Sequence, residues 1–256
     1  MGRLVVVDRE AMPIEAWASL LSDREQAEVS TFSVTRRERT VTSRVLVKYL
    51  MASPGGPDYR ELSAEHISAI SPDDLAAVET LSGPARRRTG ATVTLGGRPL
   101  LEQTVSAAHC GKFTAAGHSR GRLGIDLEKV ETRRPEFYRQ MFSAGEREWV
   151  AEMHECEGVC TDAAFTLLWG VKEAYLKASN WTSLSVWNFS HWSVWVGNEV
   201  AAVLQPHTAE VSVAAPGRIE SAEVGQTFDI IARRLGGMLL VTVQYGWDRE
   251  AGKESL

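Results

Sequence analysis

Two acidic residues on one strand and a stripe of three residues on one helix are where this sequence could do chemistry. Asp126 and Glu128 lie two apart in Gly124-Ile125-Asp126-Leu127-Glu128, and on a strand the side chains at i and i+2 share a face. Both carboxylates can then meet one ligand. Such a pair suits a hard cation such as Mg²⁺, which keeps some of its waters and takes further oxygens from a phosphate. Gly124 would admit close approach of a backbone or a ligand. Roughly forty residues later, Trp169-Gly170-Val171-Lys172-Glu173-Ala174-Tyr175-Leu176-Lys177 sets Trp169, Glu173 and Lys177 at successive i, i+4 positions of one helical stripe. Lys172 points about 100° away around that helix. Taken singly, each motif has a plain structural reading. A D-x-E at a strand end can be two solvated acids, and a Glu–Lys pair a surface salt bridge worth a few tenths of a kcal/mol.

The elements that must position these residues are partly legible. Leu4 to Val7 reads as a buried strand, and Pro13 opens a helix whose Trp17, Leu20 and Leu21 recur at helical spacing. Val41, Val45, Leu46, Tyr49 and Leu50 form the apolar stripe of a second helix, preceded by the basic run Arg36-Arg37-Glu38-Arg39 and ended by Ser53-Pro54-Gly55-Gly56-Pro57. Ser71-Pro72 looks like a helix start, and Gly83-Pro84-Ala85-Arg86-Arg87-Arg88 like an exposed loop. Thr104–Ala108, Phe113–His118 and Arg122–Glu128 read as strands. Helices follow over Ala144–Glu155 and Asp162–Ala178. The remainder reads as β: Ser193–Val196, Val200–Leu204, Glu210–Val213, Phe228–Ala232 and Met238–Gln244, with Ala251–Leu256 a frayed tail. Strand, helices and strands thus occur twice, with a joint near Glu131-Thr132-Arg133-Arg134-Pro135. The expectation is an α+β protein of two halves, 1–125 and 126–250, and not a doubly wound parallel sheet.

Composition narrows the function classes. A net charge of -5 argues against general nucleic-acid binding, though it permits a local basic pocket for a phosphorylated ligand. Three cysteines, Cys110, Cys156 and Cys160, are too few for a disulfide scaffold. The apolar run after Met1 is too short for a secretory signal, and no stretch approaches a membrane span. A soluble, cytoplasmic protein is expected.

Read together, the two motifs are more specific than either alone. Gly-Ile-Asp-Leu-Glu followed by Trp-x-x-Lys-Glu-Ala-x-x-Lys, with Phe142-Ser143-Ala144-Gly145-Glu146 between them, resembles the signature of 4′-phosphopantetheinyl transferases of the surfactin-synthetase-activating type. The likeness is concentrated between residues 98 and 178. It implies two pseudo-symmetric α+β halves with the active site in the cleft between them; two halves in one chain suggest a monomer. The implied reaction moves phosphopantetheine from coenzyme A to a serine of an acyl or peptidyl carrier protein. By this resemblance Asp126, Glu128 and Glu173 would hold Mg²⁺ on the coenzyme A pyrophosphate. Glu173 would take the serine proton, and Lys177 would neutralise charge on the leaving 3′,5′-ADP, with Lys172 a second candidate. The resemblance also implies coenzyme A contacts from Arg98, in the turn Gly96-Gly97-Arg98-Pro99, from His109, and from Arg39 and Thr40 at the 3′-phosphate.

The match has departures. Ala108-His109-Cys110 stands where the family has Ser-His-Ser, Asn180-Trp181-Thr182-Ser183-Leu184 where it has a glycine loop, and Glu25 and Glu28 where it has basic residues. These changes bear on nucleotide affinity more than on metal binding, and they motivate an alternative. That alternative is a diverged relative which binds coenzyme A or a carrier without this transfer, or which serves another biosynthetic reaction. His154, Glu155, Cys156 and Cys160 lack the fourth partner of a closed zinc site. Trp181, Trp187, Trp192 and Trp195 read as packing residues before they read as a docking surface.

Overall fold

The computed structural model describes residues 3–53, 59–81, 92–100, 104–179, 186–205, 211–220 and 225–245. The Arg86–Arg88 loop, Asn180–Leu184 with Trp181, the Trp187 side chain and the tail from 251 lie outside the described residues. Helices and sheets are mixed along the chain in an α+β fold, which divides into two units, Met1–Leu123 and Gly124–Leu256.

In the first unit, β1 (Arg3–Asp8) buries Leu4 to Val7. Three helices follow, α1 (Ile14–Ala18), α2 (Asp23–Ser30) and α3 (Val34–Ala52). The stripe Val41, Val45, Leu46, Tyr49, Leu50 is buried as its spacing requires. Then come β2 (Tyr59–Glu61), α4 (Ala64–Ser68), α5 (Pro72–Ala76), β3 (Val78–Leu81), β4 (Thr92–Leu95), β5 (Arg98–Pro99), β6 (Thr104–Cys110) and β7 (Phe113–Ser119). One sheet runs β2-β1-β7-β6, with β1 parallel to β2 and antiparallel to β7; another runs β3-β4-β5. Ser71 caps α5 by accepting from the Asp73 N–H, with Pro72 in its first turn.

The second unit opens with β8 (Arg122–Lys129), then α6 (Pro135–Met141), α7 (Ala144–Glu157) and α8 (Thr161–Ala178). It closes with β9 (Ser193–Val196), α9 (Ala201–Leu204), β10 (Ser212–Glu220), β11 (Gly225–Leu235) and β12 (Met238–Tyr245), in a sheet ordered β8-β12-β11-β10-β9. Helix α8 lies on this sheet, and its Leu167, Val171, Ala174 and Tyr175 belong to a core with Ile230, Ala232, Val241 and Val243.

Each unit contains the same local device. In α2, Ser22 and Glu25 form a capping box; Glu25 also accepts from the Thr80 N–H on β3 (2.8 Å) and pairs with the buried Lys48 of α3 (2.9 Å). In α7, Ser143 and Glu146 form a capping box; Glu146 accepts from the Val194 N–H on β9 (2.8 Å) and pairs with the buried Lys172 of α8 (2.8 Å). A capping glutamate reaches back to its own helix start, and here its carboxylate also ties that helix to a strand and to a long helix. This explains Glu25, which stands where a basic residue was expected, and Glu28 nearby pairs with Arg44 at 2.6 Å.

Some expectations need correction. Val200–Leu204 is helical, not a strand: Val200, Val203 and Leu204 are all fully buried, at the i, i+3, i+4 spacing of a helix face. Pro135, read as an interruption, opens α6 as its first residue. The strand expected at Glu210 to Val213 begins at Ser212 and runs on through Pro216 to Glu220. Trp192 is core, whereas Trp195 is half exposed, at 50%.

Candidate functional site

Strand β8 and helix α8 meet face to face along the two motifs. Gly124, Asp126 and Glu128 share the side of β8 opposite to Ile125 and Leu127. A Cβ at Gly124 would sit 1.7 Å from the Ala174 carbonyl oxygen and 2.7 Å from the Ala178 nitrogen. The close approach that a glycine permits is therefore made here by helix backbone, and it fixes α8 against β8. From that contact the pairs follow in order, one motif read upward and the other downward. Lys177 Nζ donates to Asp126 Oδ1 (2.7 Å) and to the Ile125 carbonyl (2.9 Å). Trp169 Nε1, two helical turns earlier, donates to Glu128 Oε1 (3.1 Å). Between them stands Glu173, half-buried, with no ion-pair partner among the described residues. The helical stripe and the strand face are thus one constellation.

Its electrostatics are unbalanced. Burial pushes the Glu128 carboxyl up to about 7, helped by the charges of Asp126 and Glu173 and opposed by the Trp169 hydrogen bond and Arg133. Glu173 is raised by burial and by Asp126, against Lys177. Asp126 is raised by its burial, which outweighs its pair with Lys177. Three acids crowd one patch, and Lys177 pairs with only one of them.

The residues suit a hard divalent cation. All three side chains offer oxygen. Asp126 Oδ2 is buried with no hydrogen-bond partner among the described residues, and a Cβ at Gly170 would meet Val241 first, at 2.9 Å, and lie 3.7 Å from that oxygen. A buried carboxylate oxygen without a donor is costly unless a cation or water meets it. No group of three His, Cys, Asp or Glu side chains is gathered closely enough to hold an ion by itself among the described residues. Mg²⁺ does not require that, because it commonly takes one or two carboxylates and fills its shell with water and phosphate.

Lys172 is a correction. Its ammonium is fully buried on Glu146 and on the carbonyls of Met141, Phe189 and Trp192 (2.8 to 3.2 Å), so its three donors are spent inside the second unit. It braces α8 and has none left for a ligand. The other expected contacts lie in the first unit. Arg39 and Thr40 are half-buried on α3; Arg39 Nε lacks an acceptor among the described residues, and Thr40 Oγ1 donates to the Arg36 carbonyl (2.8 Å). Arg98 is exposed beyond a turn whose Gly96 and Gly97 have φ of 56° and 77°, the conformation of a tight two-residue hairpin. His109 is exposed near the end of β6, opposite Thr114. His154 Nδ1 lies 2.9 Å from the Val159 carbonyl, next to the end of α7.

Sequence reasoning missed Arg133. It reaches back from the turn after β8 to Glu128 Oε2 (3.3 Å). The only signal was a basic residue five positions beyond an acid, without periodicity.

A family model described as the 4′-phosphopantetheinyl transferase superfamily matches residues 122–220. That span contains all of β8 and α8, and with them every residue of the carboxylate constellation. No curated protein matches the chain. No helix among the described residues is long and apolar enough to cross a membrane.

Proposed function

We propose that this protein is a 4′-phosphopantetheinyl transferase of the surfactin-synthetase-activating type, which modifies a serine of an acyl or peptidyl carrier protein. One observation carries the reading. The backbone contact at Gly124 holds Asp126 and Glu128 of β8 against Glu173 and Lys177 of α8, inside the span that the superfamily model matches.

In the proposed reaction the serine oxygen bonds to the phosphorus next to the pantetheine arm. The phosphorus–oxygen bond to 3′,5′-ADP breaks, and the serine proton is taken up by the protein. Glu173 is the residue for that proton, directly or through one water. Burial and Asp126 raise its basicity against the opposing charge of Lys177, and no ion pair holds it among the described residues. Lys177, already 2.7 Å from Asp126, supplies positive charge toward the departing phosphate. Asp126, Glu128 and Glu173 would hold Mg²⁺, which supplies charge neutralisation and alignment at the pyrophosphate. Arg39, Thr40, Arg98 and His109 are assigned to the nucleotide and its phosphates. Among the described residues Arg39 Nε has no acceptor, which supports that assignment, since an anionic ligand would meet it.

Calorimetric titration tests the reading. Coenzyme A should bind in Mg²⁺ and lose at least about tenfold in affinity when the metal is chelated, a difference of about 1.4 kcal/mol. Binding to a carrier protein with no coenzyme A affinity would instead favour the diverged, non-transferring relative.

A further inference from the structure

Arg133 has no part in the chemistry proposed above, yet its placement is specified. Its guanidinium meets two acids, Glu128 through Nη2 (3.3 Å) and Glu131 through Nη1 (3.2 Å). The other oxygen of Glu128 already accepts from Trp169, so both oxygens of this acid are held by resident donors.

The turn that delivers Arg133 is tied down from the far end of α8. The Arg133 main-chain N–H donates to the Tyr138 hydroxyl (2.8 Å), which donates to Asp162 Oδ1 (2.9 Å). Thr132 Oγ1 donates to the second oxygen of Asp162 (2.6 Å). The guanidinium carbon lies 5.6 Å from the centre of the Phe137 ring, within reach of a cation–π contact. An arginine on a free surface turn would need none of this. Of the three acids at the centre, Glu128 is therefore the one that a mobile-headed side chain holds from outside the two motifs.

We propose that Arg133 is a positioning residue, a tethered counter-cation that holds Glu128 until a divalent ion replaces it, and so sets the metal concentration at which the centre loads. The inference rests on the metal reading given under Proposed function. Glu131 makes the exchange feasible: when Glu128 turns to the incoming ion, the guanidinium keeps one carboxylate partner and no bare charge is left behind. The pair is partly exposed, so its competition with the ion is modest. An arginine is suited to the task because its planar guanidinium offers two prongs.

The test is Mn²⁺ binding to the full chain without coenzyme A, followed by the electron paramagnetic resonance signal of the free ion. Arg133→Gln is expected to tighten Mn²⁺ binding about two- to fivefold, and Arg133→Lys, which keeps the charge, to leave it within about twofold. Tyr138→Phe, which unties the turn without touching the guanidinium, should tighten it to a lesser degree, and it carries the test if Arg133→Gln does not fold. Unchanged or weaker Mn²⁺ binding in the glutamine variant, with wild type binding the ion, overturns the role of Arg133 alone. Absence of Mn²⁺ binding in the wild type overturns the metal reading and this inference together.

Discussion

Glu173 is the one acid of its cluster that no resident cation or hydrogen-bond donor holds among the described residues, while Asp126 has Lys177 and Glu128 has Trp169 and Arg133. A carboxylate left in that state is available to accept a proton. Glu173→Gln keeps the shape of the side chain and removes its basicity, so coenzyme A affinity should stay within about threefold while transfer falls by about 10²–10⁴-fold. Rapid-quench transfer assays beside calorimetry read the two effects separately, and undiminished transfer would refute the assignment. At this scale the sequence was informative wherever spacing declares a shared face. The i, i+2 pair Asp126/Glu128 and the i, i+4 stripe Trp169/Glu173/Lys177 are arithmetic on a strand and a helix. Lys172 shows the limit. One position from Glu173, it has the same local appearance as a solvent-facing lysine, and its burial depends on Glu146, 26 residues earlier.

Between elements, the contact that matters most is the one at Gly124. The strand and helix approach so closely there that an added methyl group would overlap the Ala174 carbonyl. Neither partner is a side chain that could rotate away. Gly124→Ala should therefore push α8 off β8 and destabilise the protein by about 1–3 kcal/mol or more, read as a lowered urea midpoint. The same displacement would lengthen Lys177–Asp126 and Trp169–Glu128, so the variant that survives folding should also lose transfer. A stability within about 0.5 kcal/mol of wild type with full activity would show that α8 is not held this way. The sequence left open whether a backbone or a ligand uses the glycine, because that depends on which element crosses the strand. Helix α9 was misread for a related reason. Over five residues, Val200 to Leu204, apolar positions fit a strand or a helix turn, and only the layer they pack against decides between them.

Across the whole molecule, one supporting device is used twice and the carboxylate constellation lies on one copy. Aligning α3 and α8 on their buried lysines, Lys48 and Lys172, sets Val45 and Tyr49 of α3 beside Trp169 and Glu173 of α8. The first copy has apolar packing or a phenol where the second has the indole and the acid. The α+β class was legible because runs of strands and runs of helices both declare themselves along the chain. The matching Glu–Lys pairs were not, since buried polar partners carry no hydrophobic period. Neither was the β3–β4 hairpin, whose short strands are separated by ten residues rich in arginine, 82–91. The most direct test of what this scaffold is for uses the intact chain. It is to be incubated with coenzyme A, Mg²⁺ and a panel of acyl and peptidyl carrier proteins in their unmodified form, and the carriers weighed by intact mass spectrometry. At least one carrier is expected to gain the mass of a single phosphopantetheine, on a serine, and only when Mg²⁺ is present. A folded protein that binds Mg²⁺ and leaves every carrier of the panel at its original mass would contradict that expectation.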